Sequence, residues 1–389
     1  MSKRGTEIVR VTATPLNLPV EIEIVGVKRQ TTLSACICEI ETADGIKGTG
    51  FTAITEEEVI ATIINEIAAP ALVGLDALSH ERLWDRLYWL LSPRGQTGYA
   101  SHAIAALDIA LWDIKGKTLG QPVWRLLGGA RARVPIYTTF GFGFLERDAL
   151  AAAASHWVDK GHKRLKMTVG GEALQRRDEP RPIADVIAED IRRVRAVRDA
   201  VGAEIPLYID ANCSLDPLHA LTLARGVEDC GIGFFEEPIT QNDVAKLAEL
   251  KSRTRVPLAA GQNEGLAFRF RDLLVASAVD VLQPNVAISG GYTQCLKVAG
   301  MAAAFNTTIA NGGAWTFHNM HLHAGVANGG LVEYHIPAVM ICSQIYKDLP
   351  LPEDGWLTLP DTPGLGFEPD WQTIKTLAKR PTSRGRGKG

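Results

Sequence analysis

The hydrophobic pattern divides the chain into two regions with different periods. Near the start, residues 33–41 alternate between polar and apolar in the manner of a strand, Asp44-Gly45 predicts a hairpin turn, and residues 47–52 follow as the partner strand. Between residues 101 and 115 the apolar positions recur at helical spacing. Strands followed by helices predict an α+β unit in this part of the chain.

After Pro135 the pattern becomes a regular alternation of strands and helices. Helix-like stretches, such as 184–201 and 293–305, separate short apolar runs. The eight predicted strands are 134–139, 164–168, 207–210, 233–236, 258–261, 281–284, 308–311 and 331–334. Eight strands with intervening helices predict a closed parallel β/α barrel, and an open parallel sheet is the alternative.

Polar side chains recur at equal intervals at the ends of three of these strands. Asp210, the Glu236–Glu237 pair and Gln262 follow one another at steps of 26 residues. This step fits one strand, one helix and two short loops, which is the repeating unit of the barrel. Because barrel chemistry gathers at the carboxyl ends of the strands, the spacing predicts a cluster of oxygen ligands for a hard cation.

Composition narrows the class of protein. The chain has 389 residues and a net charge of −3, which argues against nucleic-acid or membrane-surface partners. Its six cysteines form no C-x-x-C pair, and no apolar run is long enough to cross a bilayer. We expect a soluble cytoplasmic protein with reduced thiols, and a frayed basic tail within residues 379–388.

Several motifs, taken in order, resemble the enolase superfamily and, within it, the mandelate racemase group. They are ALDIALWDIKGKTLGQPVWRLLGG at 106–129, RLKMTVGG at 164–171, YIDAN at 208–212, FFEEP at 234–238, AAGQNE at 259–264, LQPN at 282–285 and VEYH at 332–335. The resemblance implies an α+β capping domain over a modified TIM (β/α) barrel. We expect the cap at 1–130, the barrel at 131–345, and a segment at 346–389 that returns to the cap.

The resemblance also implies a reaction. In the family, Mg²⁺ held by three acidic strand-end residues assists the removal of a proton next to a carboxylate. Asp210 and Glu236 match the first two ligands, although each carboxylate could instead serve a structural role at a strand end. Lys166 matches the base, with a pKa lowered by neighbouring positive charge. Arg164 replaces the first lysine of the family's K-x-K motif and is expected to bind the substrate carboxylate.

The third ligand position departs from the family pattern. Gln262 stands where the family has Glu, so it would be a neutral ligand and bind the cation more weakly. Glu264 is the alternative ligand if its loop bends inward. Glu237 is expected to be a structural partner, because neighbouring residues of a strand point in opposite directions.

The later strands carry further candidates. Asn285 stands where many family members have an Asp that orients a catalytic His, and the seventh strand has no His at its tip. His318 is the candidate acid or base, His321 is expected to be structural, and Glu333 matches an acid that binds the substrate carboxylate or else forms a barrel-end salt bridge. Asn212 and Asn285 are expected to contact the substrate.

Three functions remain open at this stage. The first is a Mg²⁺-dependent dehydratase of a hydroxylated acid, with a sugar acid as the expected substrate. A racemase or epimerase is the second, and it needs two competent bases. The third is a binding or structural homologue that has lost the ancestral reaction, suggested by the two amides at 262 and 285. The family resemblance also implies a homo-oligomer.

Overall fold

The amino-terminal region is an antiparallel sheet packed against helices. The computed structural model describes residues 5–95, 97–171 and 182–378, so the predicted basic tail lies outside it. The sheet has the order β1 (Ile8–Ile24), β2 (Val27–Thr42), β3 (Lys47–Ala53). The helices are α1 (Glu57–Thr62), α2 (Ala69–Leu72), α3 (His80–Gly95), α4 (Tyr99–Leu119) and α5 (Val123–Leu126), with a π-helical turn at Ile63–Ala68 between α1 and α2.

Eight parallel strands follow and confirm the predicted barrel. They are β4 (Arg133–Gly141), β5 (Leu165–Thr168), β6 (Leu207–Asp210), β7 (Ile232–Glu236), β8 (Leu258–Ala260), β9 (Val281–Leu282), β10 (Thr308–Ile309) and β11 (Val332–His335). Consecutive strands pair in chain order from β4 to β10, and β11 pairs with β4. The backbone N–H of Asn311 donates to the carbonyl of Leu331 at 2.8 Å, which joins the β10 side to the β11 side.

A helix accompanies each barrel strand. The outer helices are α6 (Arg147–Asp159), α7 (Ile183–Val201), α8 (Pro217–Gly226), α9 (Val244–Lys251), α10 (Ala267–Val275), α11 (Gly291–Ala304), α12 (Thr316–Gly325) and α13 (Ile336–Ile345). Among the described residues no helix is both long and apolar enough to cross a membrane.

The last described segment contacts both the barrel and the cap. It contains β12 (Tyr346–Lys347), β13 (Trp356–Thr358), β14 (Glu368–Pro369) and α14 (Trp371–Leu377). Strand β13 pairs antiparallel with the start of β4. The N–H of Leu365 donates to Asp113 of α4 at 2.9 Å, so this segment ties the barrel to the cap helix.

Aromatic side chains fill the interior of the barrel below the strand ends. Tyr208 and Phe234 stack with ring centroids 4.2 Å apart, and Tyr137 meets both rings edge-on. The Nζ of Lys166 lies 5.4 Å from the centroid of the Tyr137 ring. This layer forms an apolar floor that keeps water away from the underside of Lys166.

Helix α4 is buried on nearly all sides because it lies between the cap sheet and the barrel. Its Asp108 accepts a hydrogen bond from the N–H of Thr293 at 2.9 Å, at the start of α11. Burial raises the pKa of Asp108 to about 7. Trp112 of α4 donates from Nε1 to the hydroxyl of Thr293 at 2.9 Å, so the cap helix is fixed to the barrel by directed bonds.

Two glycines of β3 allow the sheet to touch the backbone of α4. A Cβ at Gly50 would lie 1.7 Å from the carbonyl oxygen of Ala106, and one at Gly48 would lie 2.2 Å from that of Ala110. No side chain fits at such distances, so the position of β3 over the barrel depends on these glycines.

We expect Gly50→Ala to destabilise the protein by about 2–3 kcal/mol, because the added methyl group forces β3 away from α4. Gly300→Ala is the matched control, since Gly300 lies in α11 with open space around its Cβ position. The control is expected to be neutral or to stabilise by up to about 1 kcal/mol. Thermal and urea unfolding of the three proteins measures the difference, and equal stabilities of the two variants would contradict the packing argument.

Candidate active site

A buried lysine surrounded by three carboxylates lies at the carboxyl ends of the barrel strands. Nζ of Lys166 is 3.0 Å from Oδ2 of Asp210, 2.6 Å from Oε2 of Glu236 and 2.9 Å from Oε1 of Glu333. All four side chains are at most 5% exposed. They come from β5, β6, β7 and β11.

Strand geometry explains why these side chains meet. Lys166 points into the barrel because its neighbours, Leu165 and Met167, point outward into the apolar layer between sheet and helices. Asp210 and Glu236 are the last residues of β6 and β7 and are partners in register. Parallel strands end at the same rim, so the equal 26-residue step brings the carboxylates together.

The charges of the cluster do not balance. Three carboxylates face one ammonium group, which leaves a net charge of −2 when all four groups are ionised. Burial lowers the pKa of Lys166, but attraction to the carboxylates outweighs it and holds that pKa well above its ordinary value. Burial, together with repulsion from Asp210, raises the pKa of Glu236 well above its usual range. Such a cluster is stable only with a further positive charge or a bound proton.

The carboxylates around Nζ therefore raise the pKa of Lys166. The lowered value expected from the sequence was that of a lysine buried beside a divalent cation and other positive groups, and it stays a prediction. For Glu333, burial raises the pKa, and the charge of Lys166 outweighs it and lowers the pKa. Its carboxylate accepts from the hydroxyl of Thr139 and, at 2.6 Å, from the N–H of Ala314, so Glu333 is an acceptor within a barrel-end salt bridge.

The free oxygens of the site fit a cation. Oε1 of Glu236 is buried and has no hydrogen-bond partner among the described residues. A Cβ at Gly312 would lie 2.6 Å from this oxygen, and one at Gly313 would lie 3.2 Å from Oε1 of Gln262. Both oxygens therefore lie beside the backbone of Gly312-Gly313, where no side chain intervenes. Oδ1 of Asp210 accepts from the N–H of Asn212 at 2.8 Å.

Gln262 is needed to complete any such site. No group of three or more His, Cys, Asp or Glu side chains in the described part of the chain is arranged to hold a metal ion. The Nε2 of Gln262 donates to Oε2 of Glu237 at 3.0 Å, so its carbonyl oxygen is left for the cleft. An amide oxygen is an acceptable ligand for Mg²⁺. Asp210, Glu236 and Gln262 are thus the residues that could hold the cation.

Glu237 points away from the cluster, as alternation along the strand predicts. Its carboxylate accepts hydrogen bonds from Asn242 Nδ2 (2.8 Å), Gln262 Nε2 (3.0 Å), Asn263 Nδ2 (2.5 Å) and Cys213 Sγ (3.2 Å). Glu264, the alternative ligand, forms an ion pair with Arg269 at 2.8 Å and also accepts from Asn242. The loop after β8 therefore turns Glu264 away from the cleft.

A cleft of about 130 Å³ opens above the cluster. It is lined by Ile54, His102, Thr139, Thr168, Asp210, Asn212, Gln262, Asn263, Ile288, Gly313, Ala314, Glu333 and His335. Sequence reasoning missed His102, His335 and the two threonines. His335 ends the VEYH motif at a strand tip, a signal that could have identified it, whereas nothing in the helical pattern distinguishes His102 from a core residue.

His335 presents a hydrogen-bond donor to the cleft. It is the N-cap of α13, and its Nδ1 accepts from the N–H of Ala338 at 3.4 Å. The neutral ring therefore carries its proton on Nε2, which has no hydrogen-bond partner within the described chain. Burial lowers the pKa of His335, so the ring is neutral at neutral pH.

Arg164 does not reach the cleft, in contrast to its predicted role at the substrate carboxylate. It precedes β5, and its guanidinium donates to the carbonyls of Ile136 and Gly355 at 3.3 and 3.4 Å. Gly355 adjoins β13, which pairs with the first residues of β4. The side chain therefore lies toward the amino-terminal end of the barrel, away from the Lys166 cluster.

His318 and Asn285 also lie outside the cleft. His318 is fully buried, stacks on Phe51 with centroids 5.2 Å apart, and has its pKa lowered by burial to about 3. The turn at Gly312-Gly313 does not fold it over the barrel mouth, because α12 begins at Thr316 and carries it into the cap interface. Asn285 is fully buried and donates to the carbonyls of Gly312 and Gly313 at 2.7 and 2.9 Å. It supports the loop instead of contacting a substrate.

The other two predicted positions differ in exposure. Asn212 lines the cleft with an exposed side chain, where it is able to contact a ligand. His321 is buried, and its Nε2 is 3.0 Å from the carbonyl of Leu365, a contact with the carboxyl-terminal segment that fits a structural role.

Two family models match the chain and together span most of it. Residues 149–373 match the Enolase C-terminal domain-like model, and residues 5–128 match the Mandelate racemase / muconate lactonizing enzyme, N-terminal domain. The resemblance inferred from the motifs is therefore confirmed.

Named relatives are enzymes that act on sugar acids. The chain is 31% identical over 336 residues to arabinonate dehydratase of Saccharolobus solfataricus, covering 85% of this chain and 86% of that one. It is 31% identical over 375 residues to L-talarate/galactarate dehydratase of Salmonella typhimurium, covering 95% and 88%. Other relatives include D-galactonate dehydratase of Ralstonia nicotianae and 3,6-anhydro-alpha-L-galactonate cycloisomerase of Streptomyces coelicolor.

Solved structures agree with the fold. L-Talarate dehydratase from Polaromonas sp. JS666, complexed with Mg and L-glucarate, superposes with a TM-score of 0.83 at 30% identity, covering 96% of this chain and 98% of that one. A racemase from Streptomyces coelicolor with bound magnesium gives a TM-score of 0.85 at 27% identity, covering 95% and 99%. With both domains matched and the strand-end cluster in place, this chain belongs to the mandelate racemase/muconate lactonizing enzyme group of the enolase superfamily.

Proposed function

We propose that the protein is a Mg²⁺-dependent dehydratase of a polyhydroxylated carboxylic acid, which it converts to a 2-keto acid. The observation that carries this proposal is the buried Lys166 beside Asp210 and Glu236, with the His335 donor on the same cleft. The sugar-acid dehydratases among the relatives support the substrate class.

Lys166 removes the proton from the carbon next to the substrate carboxylate. It acts as a base only after losing its own proton, so the negative charge around Nζ must first be neutralised. Asp210, Glu236 and Gln262 would hold Mg²⁺, which would supply positive charge for the substrate carboxylate and for the charge that proton loss places on it. Glu333 keeps its contact with Lys166 and orients the amine from β11, which is separated from β5 by one strand.

Loss of the β-hydroxyl follows. The departing oxygen takes the proton that Lys166 has removed, so the C–O bond breaks and water leaves, while the Nε2–H of the neutral His335 donates a hydrogen bond to that oxygen. The resulting enol takes up a proton at the β-carbon to become the 2-keto acid. The aromatic floor under Lys166 limits the access of water during these steps. The predicted homo-oligomer and cytoplasmic location stay predictions.

Lys166→Met is expected to lower the turnover of a sugar acid roughly 10³-fold, because a general base contributes about 10²–10⁴-fold. The measurement screens arabinonate, galactonate, rhamnonate and galactarate for 2-keto product, in H₂O and in D₂O. Lys163→Met is the control, since Lys163 forms an exposed ion pair with Asp354. Deuterium in unreacted, inverted substrate with no keto product would indicate epimerisation instead.

Removal of a ligand charge is expected to weaken metal binding. Asp210→Asn and Glu236→Gln should each weaken Mg²⁺ binding at least about 100-fold, since binding strength follows ligand charge. Glu264→Gln is the control, because Glu264 pairs with Arg269 outside the cleft. Calorimetric titration with MgCl₂ measures all three. Wild-type protein that folds but does not bind millimolar Mg²⁺ would refute the proposed mechanism.

A paired change tests the amide at the third position. Gln262→Glu adds a ligand charge but sets two carboxylates face to face, because the amide donates to Glu237 at 3.0 Å. We expect the double variant Gln262→Glu/Glu237→Gln to bind Mg²⁺ at least about tenfold more tightly than wild type, and Gln262→Glu alone to gain less. Equal affinity of wild type and double variant in the same titration would show that residue 262 does not ligate the metal.

A further inference from the structure

The cap contributes one imidazole to the cleft. His102 lies in the first turns of α4, is only 9% exposed and lines the cleft beside Ile54 and Ile288. The start of α4 lies over the barrel mouth, since a Cβ at Gly265, in the loop after β8, would be 2.8 Å from Thr97. His102 therefore faces the Lys166 cluster from the cap side.

Hydrogen bonding fixes the tautomer of this ring. The hydroxyl of Thr52 is 2.7 Å from the carbonyl oxygen of Ala287 and 2.6 Å from Nδ1 of His102. A carbonyl oxygen only accepts, so the single hydroxyl proton of Thr52 is given to Ala287. The Thr52 oxygen must then accept from His102, which places the ring proton on Nδ1.

The other nitrogen is consequently a bare acceptor. Within the part of the chain that the structure describes, Nε2 of His102 has no hydrogen-bond partner, and with the proton on Nδ1 it carries a lone pair. Burial lowers the pKa of His102 to about 4, so the ring stays neutral at neutral pH. His335, whose proton lies on Nε2, lines the same cleft. The two histidines thus offer one acceptor and one donor.

We propose that His102 is a substrate-binding residue, whose Nε2 accepts a hydrogen bond from a hydroxyl group of the acid, and that Thr52 is the positioning residue that sets its tautomer. This inference rests on the proposed function for its substrate class. A neutral acceptor can form a hydrogen bond with a hydroxyl group of the acid but not with a methylene group at the same place. The cap therefore selects hydroxylated acids. Thr52 links the cap strand β3 to the barrel loop at Ala287, so the acceptor is aligned only when the cap is docked.

The tautomer is measured without substrate. Two-bond ¹H–¹⁵N correlation spectra of the full chain labelled with [¹⁵N]histidine distinguish Nδ1–H from Nε2–H, with His102→Phe used for assignment. We expect Nδ1–H in wild type and in Thr52→Ser, and a shift toward Nε2–H in Thr52→Val. Nε2–H in the wild type, or no shift in Thr52→Val, would overturn the assignment.

Binding is measured in the Lys166→Met protein with saturating Mg²⁺, so that the acid is not consumed. The probe is whichever of arabinonate, galactonate, rhamnonate and galactarate binds most tightly by calorimetry. His102→Phe is expected to weaken its binding roughly tenfold, the value of one hydrogen bond, and His102→Gln, which keeps an acceptor at similar reach, to recover most of the loss. His156→Phe, on outer helix α6, is the control and should bind as the parent does.

The outcomes separate the two proposals. If an acid binds the parent protein and His102→Phe binds it equally well, the role of His102 is wrong and the proposed function stands. If none of the four acids binds although Mg²⁺ does, the substrate class is wrong and the role of His102 falls with it.

Discussion

The burial of one ammonium group among three carboxylates is the constraint on which the site depends. Lys166, Asp210, Glu236 and Glu333 lie on a floor of aromatic rings, where an unbalanced charge is expensive. The net charge of −2 calls for a divalent cation or for protons. In the proposed reaction, a cation held by Asp210 and Glu236 would supply this positive charge. It would also weaken the attraction that keeps Lys166 protonated, so metal binding would lower the pKa of Lys166 and make it a base.

The two amides at the rim are explained by their neighbours. Asn285 gives its Nδ2 protons to the carbonyls of Gly312 and Gly313, and Gln262 gives an Nε2 proton to Glu237. A carboxylate at either place would face other acceptors with no proton to offer, which costs the desolvation of a buried group. The two amides therefore fit the hydrogen bonds around them and are weak evidence for a lost reaction. The carbonyl oxygen of Gln262 remains free for a cation.

Sequence periodicity predicted the barrel and the positions of Asp210 and Glu236, because residues at parallel strand ends share one rim. The family resemblance added Lys166 and Glu333. The roles that the resemblance implied for Arg164 and His318 failed, since a position near a strand or a glycine turn does not say to which end of the barrel a side chain extends. His102 could not be found this way, because its proposed role depends on Thr52, 50 positions away along the chain, and on the bond from Thr52 to the carbonyl of Ala287.

The cap is docked on the barrel, and residues of both domains line the cleft. Gly48 and Gly50 seat β3 directly on the backbone of α4, and Asp108 and Trp112 fix α4 to the start of α11. Strand β3 also carries Thr52 and is followed by Ile54, and helix α4 carries His102. A small shift of β3 would therefore move the apolar side chain of Ile54 and the acceptor nitrogen of His102 together, while the Lys166 cluster stays fixed in the barrel. Under the proposed function, changes in the cap would then alter which acid is bound without disturbing the chemistry at the strand ends, because the two sets of groups are held by separate elements.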